Sequence, residues 1–140
     1  MACEQTEWLG NREYLRQLNR TVARQRVPIT GSIALTHRCN LHCVHCYLGP
    51  LAAGDEARRR EMTTEQVLSV IDQVTEAGCL YFLITGGEPL LRQDFGAIYR
   101  HARTNGLVVT VFSNGTMITE RTLELFERVC QPLRGRMEIS

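Results

Sequence analysis

Three cysteines within eight residues are the clearest chemical feature of the sequence. Cys39, Cys43 and Cys46 follow the spacing C-x3-C-x2-C, and no fourth cysteine lies close to them. Four-iron clusters are usually held by four thiolates, so a set of three leaves one iron open to bind a substrate or a cofactor. The spacing also differs from the ferredoxin run C-x2-C-x2-C-x3-C. It therefore predicts a reactive iron–sulfur site with these three cysteines as metal ligands.

Three further motifs follow the cysteines in a fixed order. An apolar segment ends in Gly-Gly-Glu-Pro at residues 86–89, a second ends in Ser-Asn-Gly-Thr at residues 113–116, and Met-Glu-Ile-Ser closes the sequence at residues 137–140. Together with the cysteines, this series resembles the radical S-adenosylmethionine (SAM) superfamily. It is most like the SPASM-type peptide-modifying and sulfatase-maturating enzymes. The resemblance covers roughly residues 32–140.

The resemblance implies an activity and its cofactors. A [4Fe-4S] cluster on Cys39, Cys43 and Cys46 is expected to reduce SAM, which is cleaved to methionine and a 5′-deoxyadenosyl radical. That radical takes a hydrogen atom from the substrate, expected here to be a peptide or protein. A reducing electron donor of the flavodoxin or ferredoxin type is implied as a further partner. The cluster and SAM carry the difficult chemistry, and the protein positions them.

The resemblance also assigns the residues that contact SAM. Gly86, Gly87 and Glu88 are expected at its methionine amino group, since glycine lets the backbone approach a ligand closely. His45 stands where the family usually has an aromatic residue near the adenine. The remaining expected contacts are Ser113, Asn114 and Ser140. From the residues alone, Gly86–Pro89 also fits an ordinary β-to-α loop, and Asn114-Gly115 fits a simple turn.

Hydrophobic periodicity and capping residues predict alternating helices and strands. A first helix is expected over residues 4–26, and strands over 32–36, 80–85, 107–112 and 136–140. The second of these is a continuous apolar run, typical of a strand buried on both faces. Three helices separate the strands, with expected N-caps at Thr63, Asp94 and Thr119 and expected C-terminal stops at Gly78 and Gly106.

This order predicts an α/β fold with a parallel sheet and outer helices. Specifically, we expect a partial (β/α) TIM-like barrel, truncated after the fourth strand and preceded by an N-terminal helix. Residues 1–28 are expected to form that helical segment, and residues 29–140 the first half of a radical SAM core domain. The cysteines, the Gly-Gly-Glu-Pro motif and the Ser-Asn-Gly-Thr motif each follow a predicted strand. In such folds the reacting groups lie at the carboxyl ends of the strands.

Composition limits the other classes of function. The 140-residue chain has a net charge of +1, which predicts neither a nucleic-acid partner nor an acidic membrane surface. It contains no apolar run long enough for a transmembrane helix, and its first residues lack the pattern of a signal peptide. A cytoplasmic location is therefore expected. Disulfides are rare there, so the cysteines indicate metal binding or catalysis.

Two alternative functions remain open from the sequence. The missing second half of the core suggests a catalytically incomplete cluster-binding fragment or a partner module. A zinc-binding module is the other alternative, because the three cysteines with His42 or His45 would form a Cys3His site. Colour separates iron from zinc, since an iron–sulfur protein is brown and a zinc protein is colourless.

Overall fold

The structure is a computed structural model that describes residues 10–48, 58–130 and 136–139. The predicted residues 4–9 of the first helix, part of the segment between the cysteines and the second helix, and Ser140 lie outside these ranges. Among the described residues, no helix is long and apolar enough to cross a membrane.

Helices and strands alternate along the described chain as predicted. Each strand lies within one or two residues of its expected bounds. The elements in chain order are α1 (Asn11–Gln25), β1 (Thr30–Thr36), α2 (Thr64–Glu76), β2 (Tyr81–Gly86), a 3-10 turn (Pro89–Leu91), α3 (Phe95–Thr104), β3 (Val108–Ser113), α4 (Glu120–Cys130) and β4 (Arg136–Ile139).

The four strands form one parallel sheet in the order β1-β2-β3-β4. Ile33 of β1 lies opposite Ile84 of β2, and Ile84 lies opposite Val111 of β3. Because all strands run in the same direction, their carboxyl ends meet at one edge of the sheet. The predicted α/β class and parallel sheet are therefore confirmed.

The hydrophobic core lies between the sheet and the helices on one of its faces. Phe82, Ile84, Val109 and Val111 alternate toward this face because side chains in a strand point to opposite sides with a period of two. The helices α2 and α3 cover them with buried apolar side chains, namely Val67, Ile71, Ile98, Tyr99 and Ala102. The rings of Tyr99 and Phe126 pack edge to face with their centroids 5.0 Å apart, and this contact extends the core to α4.

The other face of β2 is more open than its apolar run predicts. Tyr81 is 52% exposed, and Leu83 and Thr85 are half-buried. The expectation of a strand buried on both faces is therefore wrong for the described residues. The physical reason is that α2 and α3 pack on the face of Phe82 and Ile84 alone, within the part of the chain that the structure describes.

Two of the three predicted helix caps are confirmed. Thr63 forms a full capping box with Gln66, and the Thr119 hydroxyl accepts a hydrogen bond from the Thr122 backbone N–H at 3.3 Å. Asp94 occupies the N-cap position of α3, but its side chain makes no capping bond. The expectation for Asp94 is corrected because its carboxylate is bound by the Arg92 guanidinium instead.

The ion pair between Arg92 and Asp94 ties the sheet to the start of α3. The Arg92 guanidinium donates to both Asp94 carboxylate oxygens at 2.9 and 2.6 Å, and to the backbone oxygens of Leu35 and Met62 at 3.0 Å each. Thr64 also donates to Asp94, at 2.6 Å. The hydrogen bond from Arg92 is the main reason that the pKa of Asp94 falls from 3.8 to about 2.

This pair predicts a stability difference that disappears in acid. Because the pKa of Asp94 is lower in the folded state, its stabilising effect is complete above pH 3.8 and is lost as the pH falls through about 2. Asp94→Asn is expected to lower the free energy of unfolding by about 1 to 2 kcal/mol at neutral pH, allowing for the partial exposure of the carboxylate. Urea unfolding of wild type and variant across pH measures this difference.

Glu127 on α4 provides the control for this measurement because it is exposed. Glu127→Gln should leave the unfolding free energy near that of wild type throughout. A difference for Asp94→Asn that stays constant from neutral pH down to pH 2 would contradict the role given to the ion pair.

Candidate metal and cofactor site

Three loops meet at the carboxyl edge of the sheet. The cysteine loop (residues 37–48) follows β1, the glycine loop (residues 86–89) begins at the last residue of β2, and the asparagine loop (residues 113–116) begins at the last residue of β3. Parallel pairing of β1 with β2 and of β2 with β3 brings the three strand ends side by side. Hydrogen bonds between the loops then fix their relative positions.

The glycine loop packs directly on the backbone of the cysteine loop. The backbone N–H of Gly87 donates to the Thr36 oxygen at 2.7 Å, and that of Glu88 donates to the Arg38 oxygen at 2.8 Å. A Cβ atom added to Gly86 would lie 2.3 Å from the Thr36 oxygen, and one added to Gly87 would lie 2.2 Å from the Arg38 oxygen. Both glycines are therefore required by the chain's own backbone. Their contact with SAM stays a prediction.

Glu88 is a buried carboxylate that joins the glycine loop to the asparagine loop. Its side chain is 0% exposed. One carboxylate oxygen accepts hydrogen bonds from the Leu90 N–H at 3.0 Å and the Ser113 hydroxyl at 2.9 Å, and the other accepts from the Asn114 N–H at 2.8 Å. Burying a carboxylate is costly unless such donors replace its water. Among the described residues, no cation forms an ion pair with it.

The asparagine loop connects Glu88 to the cysteine loop. The Asn114 side-chain oxygen accepts the Thr116 N–H at 3.0 Å, which gives the tight turn that Asn-Gly sequences favour. The Asn114 side-chain nitrogen donates to the Asn40 side-chain oxygen at 3.0 Å and lies 3.7 Å from the Cys39 sulfur, within hydrogen-bonding distance for sulfur. Asn40 also donates to Thr116 at 2.7 Å. The two loops are thus bonded side chain to side chain.

The three cysteines of the cysteine loop are free thiols. Cys39 and Cys46 are half-buried and Cys43 is exposed. The backbone N–H of Leu41 lies 3.4 Å from the Cys39 sulfur and donates to it. Within residues 10–48, 58–130 and 136–139, no three His, Cys, Asp or Glu side chains are gathered in a metal-binding arrangement.

The donor set of the cysteine loop nevertheless fits an iron–sulfur cluster. It offers three thiols without a disulfide, and thiolate is the usual ligand of such clusters. Two N–H groups, from Leu41 and Asn114, already donate to the Cys39 sulfur, as outer donors do around metal-ligand sulfurs.

Three contacts at this edge were not anticipated from the sequence. The Tyr47 hydroxyl donates to the Gly86 carbonyl oxygen at 3.1 Å. Arg38 forms an ion pair with Glu61 at 2.7 Å, and Glu61 also accepts from the Thr36 hydroxyl. Burial opposes ionisation of Glu61 most strongly, yet the hydrogen bonds from Arg38 and Thr36 hold its pKa below the ordinary value. No spacing rule reveals such contacts, although Tyr47 does stand beside the third cysteine.

The structure does not bring every predicted site residue to this network. His45 is exposed, and Ser140 lies outside the described residues. Cys39, Gly86, Gly87, Glu88, Ser113 and Asn114 are joined through the hydrogen bonds above. The predicted contacts of His45, Ser113, Asn114 and Ser140 with SAM stay predictions.

Comparison with known proteins identifies the family. The model of the Radical SAM superfamily matches residues 33–133, so the chain belongs to this superfamily. The Fe-coproporphyrin III synthase of Methanosarcina barkeri is 35% identical over 95 residues, which are 68% of this chain and 23% of that protein. The PqqA peptide cyclase of Xanthomonas oryzae pv. oryzae is 38% identical over 97 residues, 69% of this chain and 25% of that protein. The chain therefore spans about a quarter of the length of these relatives.

Solved structures share the fold. SuiB of Streptococcus suis, bound to the precursor peptide SuiA, superposes with a TM-score of 0.61 at 20% identity, over 90% of this chain and 29% of that chain. BtrN in complex with AdoMet and 2-DOIA superposes with a TM-score of 0.60 at 17% identity, over 72% of this chain and 42% of that chain. These similarities confirm the predicted partial (β/α) TIM-like barrel with a leading helix.

The packing of Gly87 predicts that even a methyl group will disturb the cysteine loop. Gly87→Ala places its Cβ against the Arg38 carbonyl, so the backbone next to Cys39 has to move. We expect the free energy of unfolding to fall by about 2 kcal/mol or more, as for other overpacked sites. Chemical denaturation measures this loss, and iron bound per chain after reconstitution should fall with it.

Gly96→Ala is the matched control because Gly96 lies in α3, where an added Cβ would be 3.5 Å from Leu125, an ordinary contact. Alanine favours helix over glycine by up to about 1 kcal/mol, so this variant should be at least as stable as wild type. Equal effects of the two substitutions would contradict the close packing of Gly87 on the cysteine loop.

Proposed function

We propose that the chain is the cluster- and SAM-binding part of a radical SAM enzyme. The observation that carries the proposal is that hydrogen bonds join the three loops to one another. In the glycine loop, the Gly87 N–H donates to Thr36 at the end of β1 and the Glu88 N–H donates to Arg38 in the cysteine loop. The Glu88 carboxylate holds the asparagine loop. Three thiols thus share one edge of the sheet with the two motifs that the family uses for SAM.

The proposed ligands of a [4Fe-4S] cluster are the thiolates of Cys39, Cys43 and Cys46. With SAM bound, such a cluster supplies one-electron reductive cleavage to a 5′-deoxyadenosyl radical that abstracts a hydrogen atom. The chain's own contribution is to bind and orient both groups. Cys39 and Cys46, which are half-buried, and Cys43, which is exposed, would each supply one thiolate to the cluster.

The residues proposed to hold SAM act in different ways. The backbone at Gly86 and Gly87 offers polar groups to the methionine amino group. Glu88 is fully buried, so we propose that its negative charge attracts this cationic group from behind the backbone rather than by direct contact. Ser113 already bonds Glu88 and Gly115, which favours a positioning role. His45 is proposed near the adenine and Ser140 near the ribose or carboxylate of SAM.

The proposed substrate class is a peptide or protein. The support is the similarity to PqqA peptide cyclases at 38% identity, together with the notable likeness in sequence motifs to peptide-modifying members of the family. Another relative is a porphyrin-type synthase at 35% identity, so a tetrapyrrole is the competing class. The proposed electron donor is a flavodoxin- or ferredoxin-like protein, and the proposed location is the cytoplasm, because an oxygen-sensitive cluster needs a reducing compartment.

The proposal predicts that the cysteines of the cysteine loop, and not the other cysteines, are the iron ligands. After anaerobic reconstitution with iron and sulfide, wild type should be brown, and Cys43→Ala should lose the cluster because one of three ligands is absent. Iron and sulfide analysis with visible absorbance measures this. Cys79→Ala is the control, since Cys79 is buried in the hydrophobic core just before β2. This variant should leave iron binding intact.

A second readout addresses SAM cleavage in the same samples. With dithionite and SAM, mass spectrometry should detect 5′-deoxyadenosine from wild type and Cys79→Ala but not from Cys43→Ala. A colourless wild-type protein that binds zinc would instead favour the Cys3His module. A brown, reducible wild type without 5′-deoxyadenosine would favour a cluster-binding fragment or partner module.

A further inference from the structure

Asn114 has a contact that SAM binding does not explain. Its side-chain nitrogen lies 3.7 Å from the sulfur of Cys39. Among the described residues, the other donor to this sulfur is the Leu41 backbone N–H at 3.4 Å. The asparagine comes from the end of β3 and the cysteine from the loop after β1, so the contact joins distant parts of the sequence.

The orientation of the Asn114 amide is fixed by its neighbours. Its oxygen accepts from the backbone N–H of Thr116 at 3.0 Å and from the Thr116 hydroxyl at 2.7 Å. A backbone N–H can only donate, so a flipped amide would place two donors against each other. The NH2 group must therefore face the other way, toward the Asn40 oxygen and the Cys39 sulfur.

The backbone of Asn114 is held just as firmly. Its N–H donates to the buried carboxylate of Glu88 at 2.8 Å, and a carboxylate acceptor makes a stronger hydrogen bond than a neutral one. The side chain consequently projects from a fixed point. An N–H donor held at a fixed place beside a ligand sulfur is one of the means by which proteins set cluster potentials.

We propose that Asn114 is a positioning residue that raises the reduction potential of the cluster through its hydrogen bond to Cys39. The inference rests on the proposed function. Reduction adds one electron, supplied by the low-potential protein donor, and no bond forms or breaks in this step. The added electron makes the ligand sulfurs more negative, and a hydrogen bond to Cys39 stabilises that charge.

The test is a redox titration of reconstituted protein with dithionite and mediators, followed by electron paramagnetic resonance. Asn114→Leu removes the donor, and Asn114→Asp keeps the shape and the acceptor but replaces the donor with a negative charge. At a fixed potential, the ratio of reduced to oxidised cluster should fall about tenfold in Asn114→Leu, which corresponds to about 59 mV for one electron. The fall should be larger in Asn114→Asp.

Asn105→Leu is the matched control because Asn105 bonds Asp72 at 2.9 Å, at the far end of α3. Its midpoint potential should equal that of wild type. Iron content is measured for every sample, so that a lower potential with full iron separates tuning from a loss of structure. If Asn114→Leu does not bind the cluster, the midpoint potential of Asn114→Asp is the one compared with wild type.

The outcomes separate the two proposals. A wild type that binds no iron–sulfur cluster overturns the proposed function, and this inference with it. Fully loaded Asn114 variants with the wild-type potential overturn this inference alone. Loss of the cluster from both Asn114 variants, with Asn105→Leu loaded, also overturns the tuning role, because Asn114 is then a structural requirement.

Discussion

The buried carboxylate of Glu88 is the interaction on which the site depends. It lies at the carboxyl edge of the sheet with 0% exposure. It accepts hydrogen bonds from Leu90, Ser113 and Asn114. Hydrogen bonds to a charged group contribute about 1.5 to 3 kcal/mol each, whereas the unbonded carboxylate would be very costly to bury. The glycine loop and the asparagine loop are therefore held in the arrangement that gives Glu88 its hydrogen bonds. The Asn114 side chain connects this arrangement to Cys39 through a further hydrogen bond.

The two glycines complete this arrangement on the side of β1. Gly86 and Gly87 are in contact with the backbone at Thr36 and Arg38, so the cysteine loop leaves the sheet along a path that the glycine loop defines. The resemblance to the family assigns these two glycines to SAM binding. In this chain the two glycines are first required for packing, because a side chain at either position would displace the residues that precede Cys39.

Sequence patterns predicted the order of the helices and strands and the positions of the three loops. They did not predict the side-chain hydrogen bonds that connect the loops to one another. Strand bounds followed from apolar runs, and Thr63 with Gln66 follows a local capping rule. The same rule predicted a capping hydrogen bond from Asp94, and this prediction was wrong. The Asp94 carboxylate binds the Arg92 guanidinium instead of the helix N-terminus. The bonds from Asn114 to Asn40 and Cys39 join residues far apart in sequence, so no local pattern encodes them. Glu88 was recognised as a site residue, but its burial depends on three-dimensional packing.

The chain's own hydrogen bonds assemble the three loops before any cofactor binds. Amide hydrogen exchange of the iron-free protein, followed by NMR, tests it most directly. We predict that the N–H groups of Gly87, Glu88 and Asn114 exchange slowly, at rates close to those of the central strand β2, because each is bonded to another loop or strand end. Exchange of these three amides at the rate of an unstructured peptide, with β2 still protected, would contradict the claim.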